Sequence, residues 1–329
     1  MHITILGGAG FLGRKVAARL AADGTLGGTA VSSLTLFDLA PPPAPEAPFP
    51  VRSLGGDLSV LPMAAIPPQT DVVFHLAAVV SAAAEADYEL GRRVNVRGTD
   101  AVIDCCRGIS QNGAKPPRVV FTSSVASFGG GQDAVLGDDA RQVPTNSYGA
   151  QKAAAELFLA DASRRGFLDA VMIRLPTVVI RPGRPNKAAS SFVSSILREP
   201  LLGLEAELPV PDDFKVWICS PRRAVDWLLH AARVDTAPMG LDRGINPPGL
   251  SVSVGEMLAA MDRVQPGASA LVRRVPDPVI EGIIGGWPAA FAPERAQRLG
   301  FSAHESLDAL VEAFIADDLA ATRQEREQG

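Results

Sequence analysis

Cysteine, histidine, tyrosine and lysine are all scarce in this chain of 329 residues. Three cysteines, two of them adjacent at Cys105 and Cys106, make neither a disulfide framework nor a CxxC metal site, and the protein is expected in a reducing cytoplasm. The four histidines, His2, His75, His230 and His304, fall at no metal-ligand spacing, so no metal is expected. A net charge of -5 leaves neither a basic footprint for nucleic acid nor a polybasic surface for anionic lipid. No run reaches the ~18 uninterrupted apolar residues of a membrane span. The apolar opening HITILGGAGFLG lacks a basic leader and is broken by glycines, unlike a signal peptide. Small molecules and other protein chains remain as partners, and the length suffices for one large or two modest domains.

Against that scarcity, Tyr148 and Lys152 stand four residues apart in TNSYGAQKAAAE. On a helix this spacing puts phenol and ammonium on one face. A nearby cation favours phenolate and brings a phenol that ordinarily titrates near 10 towards neutral proton transfer. With two tyrosines and five lysines in the chain, such a pair arises by chance in about 3% of arrangements.

The N-terminal segment reads as strand, glycine turn, helix: Ile3 to Leu6, then Gly7, Gly10 and Gly13, then Arg14 to Ala22. Glycines at those positions allow a sharp turn, close approach of a pyrophosphate and tight packing of helix on strand, with the helix N-terminus facing the phosphates. The next strand, Ser33 to Phe37, ends at Asp38, placed to accept from ribose hydroxyls and to repel a 2'-phosphate. NAD is therefore preferred over NADP, although Arg14 keeps the alternative open. The proline-rich PPPAPEAPFP that follows reads as loop.

Asp71 to Ala78 is a buried parallel strand ending in small residues that leave room for a cofactor. His75 within it reads as a packed core residue with no chemical role. Tyr88 to Cys106 reads as a long helix, in which Asn95 is either buried glue or a proton-relay member. Arg118 to Ser124 ends in hydroxyls at the sheet's carboxyl edge, where open α/β sheets bind ligands, which makes Ser123 and Ser124 well placed. Residues 127–146 read as a mobile loop, and the Tyr148 helix should end at Gly166. Pro176 interrupts the strand around 170–180, where a second region begins; the helix at 223–232 should return to the main sheet, a final helix runs from Ser306 to about Thr322, and RQEREQG reads as a solvated tail. The expectation is a doubly wound parallel α/β sheet over 1–176 and a smaller substrate-binding region over 177–329, parts of which rejoin the sheet.

The order and spacing of Gly7, Gly10, Gly13, Asp38, the HLAA run at 75–78, Asn95, FTSS, Tyr148 and Lys152 resemble the extended short-chain dehydrogenase/reductase superfamily over essentially the whole chain. That resemblance implies an NAD-dependent oxidoreductase on a Rossmann sheet. Ser124, Tyr148 and Lys152 would be catalytic. The glycine turn with Phe11 and Leu12, Asp38, Asp57, Leu58, Leu76, Ala77, Ala78, Asn95, Tyr148, Lys152, Pro176 and Val178 would contact the cofactor. Related enzymes pair through the helices that here are 88–106 and 148–165, so a homodimer is expected. The proline-rich insertion after Asp38 departs from the family pattern at the adenine end.

The segment RLPTVVIRPGRPNKAASSFVSSILREPL resembles a branch whose members oxidise D-erythronate, a four-carbon sugar acid, at its C2 hydroxyl. Arg181, Arg184 and Lys187, with Asn186, Ser190 and Ser191, offer cations and donors suited to a carboxylate and its neighbouring hydroxyls. Ser81, Ser124, Trp217 and Arg222 complete the expected substrate set. A nucleotide-sugar epimerase or dehydratase that retains its NAD would share the serine, tyrosine and lysine, and is the alternative.

Overall fold

The computed structural model describes residues 1–129, 135–184, 190–303 and 305–327. The first of two compact units comprises 1–127, 144–174 and 225–246. Its centre is a sheet of seven strands: β1 (His2–Leu6), β2 (Ser33–Asp38), β3 (Val51–Gly55), β4 (Val72–His75), β5 (Arg118–Ser124), β6 (Asp169–Leu175) and β7 (Gly244–Ile245), in the order β7-β6-β5-β4-β1-β2-β3. The pairings of β1 with β2 and β4, of β2 with β3, of β4 with β5 and of β6 with β7 are parallel. The chain leaves β1 towards β2 on one side and later returns to place β4 on the other. Strand order thus reverses beside β1, the point at which such sheets hold ligands beyond their carboxyl ends.

β1, β4 and β5 are nearly continuous apolar runs because both sheet faces are covered. Leu6, Phe37, Val73, Val119 and Phe121 from the strands meet Val102, Cys106, Ala155 and Leu159 from α2 (Gly98–Gln111) and α3 (Ser147–Arg164) in one buried cluster. Burial pushes the thiols of Cys105 and Cys106 above their ordinary range, which makes them core groups rather than nucleophiles. The sequence-expected long helix is present but changes pitch: four residues of α-helix at Tyr88–Gly91, a π-helical stretch at Arg92–Arg97 and then α2. α3 closes at Arg164, with Gly166 at φ 72 beyond it.

The second unit comprises 128–143, 175–224 and 247–329. Here the strand at Thr177–Val178 leaves the main sheet and pairs with Lys215–Cys219, which pairs in turn with Leu250–Ser253. Ile196, Leu208, Ile218, Met257, Leu310 and Phe314 are among its fully buried core. Two expectations from sequence change. Val135–Leu136, inside the expected loop, is a short strand on Ala290–Phe291. The expected tail is helical over Leu319–Glu327, because Arg326 reaches Glu199, a carboxylate left only 5% exposed, at 2.8 Å.

Candidate active site

The glycine turn explains its own residues. Gly7 has φ 90, and a Cβ there would come within 2.6 Å of the Ala77 nitrogen; a Cβ on Gly13 would sit 2.1 Å from the Gly7 carbonyl. Only glycine lets β1, the 76–78 segment and the first turn of α1 (Phe11–Asp23) approach so closely. Gly10 is the N-cap of α1 and has no side-chain capping bond, Phe11 and Leu12 are half-buried, and a helix N-terminus of this kind suits an anion. At the end of β2, Asp38 accepts from Ala9 N at 2.9 Å and from Leu39 N at 2.8 Å. The carboxylate is thereby fixed beside the turn with lone pairs to spare for a diol. The proline-rich segment folds back here: Pro42 would meet a Cβ on Gly8 at 3.1 Å and Pro41 one on Gly55 at 2.8 Å. These features fit the adenosine and pyrophosphate of a dinucleotide.

Leu76, Ala77 and Ala78 follow β4 as half-buried irregular backbone. The chain just beyond them is pinned by Asn95, whose Oδ1 accepts from Val79 N and whose Nδ2 donates to Val79 O, each at 2.9 Å. Nδ2 also donates to Gln151 Oε1 at 2.7 Å. The Asn95 amide thus ties the Val79 backbone to α3 through Gln151. Asp57 accepts from Ser59 N and Oγ, both at 2.8 Å, and that bonding holds its carboxyl below the usual range. Leu58 packs on Gly98, where a Cβ would lie 2.7 Å from its methyl. Ser81 opens a short helix, Ser81–Ala86, and is half-buried.

Beneath these residues His75 is 1% exposed. Thr99 commits its hydroxyl proton to Asn95 O at 2.8 Å, so it accepts from His75 Nε2 at 3.0 Å. That fixes the tautomer and leaves Nδ1 without a partner among the described residues. Burial, reinforced by Lys152, pushes the imidazole down to about 3, so His75 is a neutral core group.

Ser124 is the last residue of β5; its Oγ accepts from Ala126 N at 3.1 Å, and its carbonyl accepts from Ser127 Oγ at 2.7 Å. The tight turn so made, Val125–Ser127, is where α3 docks. Asn146 caps α3 by accepting from Gly149 N at 2.8 Å, and a Cβ on Gly149 would fall 1.9 Å from the Ala126 carbonyl. The first helical turn, with Tyr148, is therefore pressed against the residues that follow Ser124. Lys152, 1% exposed, donates from Nζ to Thr122 O at 2.7 Å. Its Nζ lies 4.4 Å from the Phe121 ring centre and 5.7 Å from that of Tyr148. Burial pushes the ammonium down to about 7, and Glu156 opposes the shift.

Two residues of this site, Glu156 and Arg174, are not among those singled out from sequence. Glu156, 2% exposed, accepts from Arg174 Nε at 3.0 Å and Nη2 at 2.8 Å, and Ser123 Oγ donates a short bond to it. The available signals were Glu156 four residues beyond Lys152 and a lone arginine inside the apolar strand AVMIRL.

The remaining expected residues belong to the second unit. Pro176 and Trp217 both bear on Gly249, where a Cβ would lie 3.1 Å and 3.0 Å from them, and Val178 pairs with Cys219. Trp217 packs on Phe291 at 5.5 Å between ring centres, and its buried indole N–H has no partner among the described residues. Arg181 donates from its backbone to Ser194 Oγ at 3.1 Å; Arg184 is exposed, and Ser190 and Ser191 begin the helix Ser191–Leu201. Arg222 is held by Asp317 through two bonds of 2.6 Å, so its guanidinium is already engaged. Asn186 and Lys187 lie outside the described residues. Among the described residues no group of three or more His, Cys, Asp or Glu could hold a metal ion, and no helix is long and apolar enough to cross a membrane.

The chain is 44% identical to a D-erythronate dehydrogenase of Cupriavidus necator, with 96% of this chain and 98% of that one aligned. It is 38% identical to a D-erythronate dehydrogenase of Haemophilus influenzae, covering 97% and 100%. A crystal structure described as a nucleoside-diphosphate-sugar epimerase from Agrobacterium tumefaciens superposes with a TM-score of 0.93 at 45% identity, covering 97% of this chain and 95% of that one. The family model for the NAD dependent epimerase/dehydratase family matches residues 3–218. With the glycine turn, the switch-point sheet and the Tyr148–Lys152 pair in place, the chain belongs to the NAD dependent epimerase/dehydratase family.

Proposed function

We propose that the protein is a dehydrogenase that uses NAD to oxidise the C2 hydroxyl of a short sugar acid, D-erythronate or a near relative, to the 2-keto acid. The observation that carries the reaction type is the Tyr148–Lys152 pair at the carboxyl edge of the sheet, its helix docked against the turn after Ser124. Bound NAD supplies the hydride acceptor. Tyr148 as phenolate takes the proton of the substrate hydroxyl, and the Lys152 cation stabilises that phenolate. Ser124 Oγ, already accepting from Ala126 N, turns its own hydrogen to the substrate oxygen, where charge develops. Asp38 at the turn supports NAD over NADP, since a 2'-phosphate would meet a fixed carboxylate. Arg181, Arg184, Asn186, Lys187, Ser190 and Trp217 remain candidates for the acid and its hydroxyls, whereas Arg222 would first have to leave Asp317.

The substrate is supported by the two near-full-length relatives named for D-erythronate. The solved relative described as an epimerase favours the second reading, a nucleotide-sugar epimerase that keeps its cofactor. The two differ in the fate of NADH. Purified protein is expected to release NADH with D-erythronate among a panel of short aldonic acids and to leave a UDP-sugar unchanged. Silence with every acid, together with epimerised sugar nucleotide, would reverse the assignment. Tyr148→Phe is expected to abolish turnover and keep NAD binding; undiminished turnover would remove Tyr148 from the mechanism. Leu157 at 70% and Phe158 at 46% exposure on α3 support pairing of two copies through that helix, checked by sedimentation.

A further inference from the structure

We propose that Glu156 is a positioning residue: its carboxylate, locked by Arg174 and Ser123, holds the Lys152 ammonium charged beside Tyr148. The functional half of this inference rests on the dehydrogenase reading; the electrostatic half does not.

Lys152 and Glu156 are one turn apart on the buried face of α3, at 1% and 2% exposure. A charge so far from water interacts strongly with its neighbours and resists being formed alone. Burial works against the ammonium, and Glu156 is the neighbour that favours it. The anion itself is secured from two strands. From β6, Arg174 donates through Nε and Nη2, and from β5 Ser123 donates through Oγ. Arg174 is further held by Asn246 Oδ1 at 3.4 Å, and Gly244 makes room for it, since a Cβ there would lie 2.3 Å from Nη2. An apolar pair would join α3 to β6 with less desolvation, so what the ion pair adds at this position is an anion of fixed place one helical turn from the lysine.

The other groups around Lys152 do not supply that charge. β6 contributes Arg174 and β4 contributes His75, which is neutral. β5 offers the Thr122 carbonyl and the Phe121 ring. On the neighbouring helices Glu85, Arg92, Arg93, Arg97, Asp100 and Asp104 are exposed, and Glu85 is bonded to Ser147 N at 2.7 Å. Tyr148, on α3 itself, is the group to be served.

The test follows Lys152 directly. With five lysines in the chain, side-chain NMR of labelled apo-protein gives few resonances, and Lys152→Met assigns the one of interest. Glu156→Gln is expected to lower its titration midpoint by about one pH unit, a tenfold loss of proton affinity. The double variant Glu156→Gln/Arg174→Gln removes both charges without stranding either, and is expected to lower the midpoint by less. In turnover, the alkaline limb of kcat against pH should move down with the midpoint while KM is little changed. Folded variants with an unmoved Lys152 midpoint would overturn the proposal, as would a failure of both to fold, which would assign the pair to stability alone. No turnover with any acid, alongside a shifted midpoint, would sink the dehydrogenase reading and leave the role of Glu156 standing.

Discussion

Gly149→Ala tests whether the placement of Tyr148 depends on how closely α3 meets the turn after Ser124. An ideal Cβ on residue 149 would lie 1.9 Å from the Ala126 carbonyl oxygen, 2.8 Å from its carbon and 3.0 Å from Pro144 Cβ. Neither backbone atom can rotate away, so helix or turn must shift by about 1 Å, a displacement that in a reacting site costs roughly a hundredfold in rate. Overpacking of this kind costs about 1–3 kcal/mol, partly offset by up to ~1 kcal/mol from replacing glycine in a helix. The net expectation is a Tm lowered by roughly 2–8 °C and kcat down about a hundredfold, with NAD affinity retained. Ala150→Gly is the control, because residue 150 is exposed: it should lose about 1 kcal/mol through propensity alone and keep kcat. Steady-state NADH formation and thermal melts of both variants separate the two effects. A Gly149→Ala enzyme with kcat within about threefold of the parent would refute the claim that this contact positions the tyrosine.

Lys152→Met should raise stability at pH 7 by about 1 kcal/mol, because it removes a buried ammonium, and on the proposed mechanism it should lower kcat at least ~100-fold. Its folded value near 7 lies below its unfolded value, so the unfolded chain binds more protons between about 10 and 7; the advantage of methionine should therefore be larger at pH 7 than at pH 9 in urea titrations. His75, near 3 when folded against ~6.5 unfolded, should make the wild type lose up to ~1.4 kcal/mol per pH unit relative to His75→Phe as pH falls below about 6.5, and parallel stability curves would contradict its neutral burial. Asp38→Ala removes a charged acceptor from the ribose and from Ala9 N, and should weaken NAD at least ~10-fold while narrowing the preference over NADP in binding titrations. Unchanged affinity for both would remove Asp38 from cofactor choice.

Features that depend on neighbours in sequence were legible. The glycine turn needs φ 90 at residue 7 and no Cβ at 13, and both are properties of a few consecutive residues. Likewise Tyr148 and Lys152 share a face because the helical repeat puts them there. By contrast the half-polar VRSLG showed no strand pattern, yet it forms β3, since edge pairing with β2 supplies what periodicity did not. Arg326 read as tail because its partner, Glu199, is 127 residues away and buried.

The sequence by itself determined the parallel sheet, the dinucleotide turn and the candidate acid, because each is a short-range pattern of apolar period, missing Cβ atoms or helical spacing. His75 already read as a packed core residue, but only the tertiary structure decided that Thr99 fixes its tautomer, that the Asn95 amide bonds Val79 and Gln151, and that Arg222 is held by Asp317. It also locked the Glu156 carboxylate, one helical turn from Lys152, to Arg174. The charge state of a buried group is set by burial and by what approaches it from other strands and helices, and those distances exist only once the chain has folded.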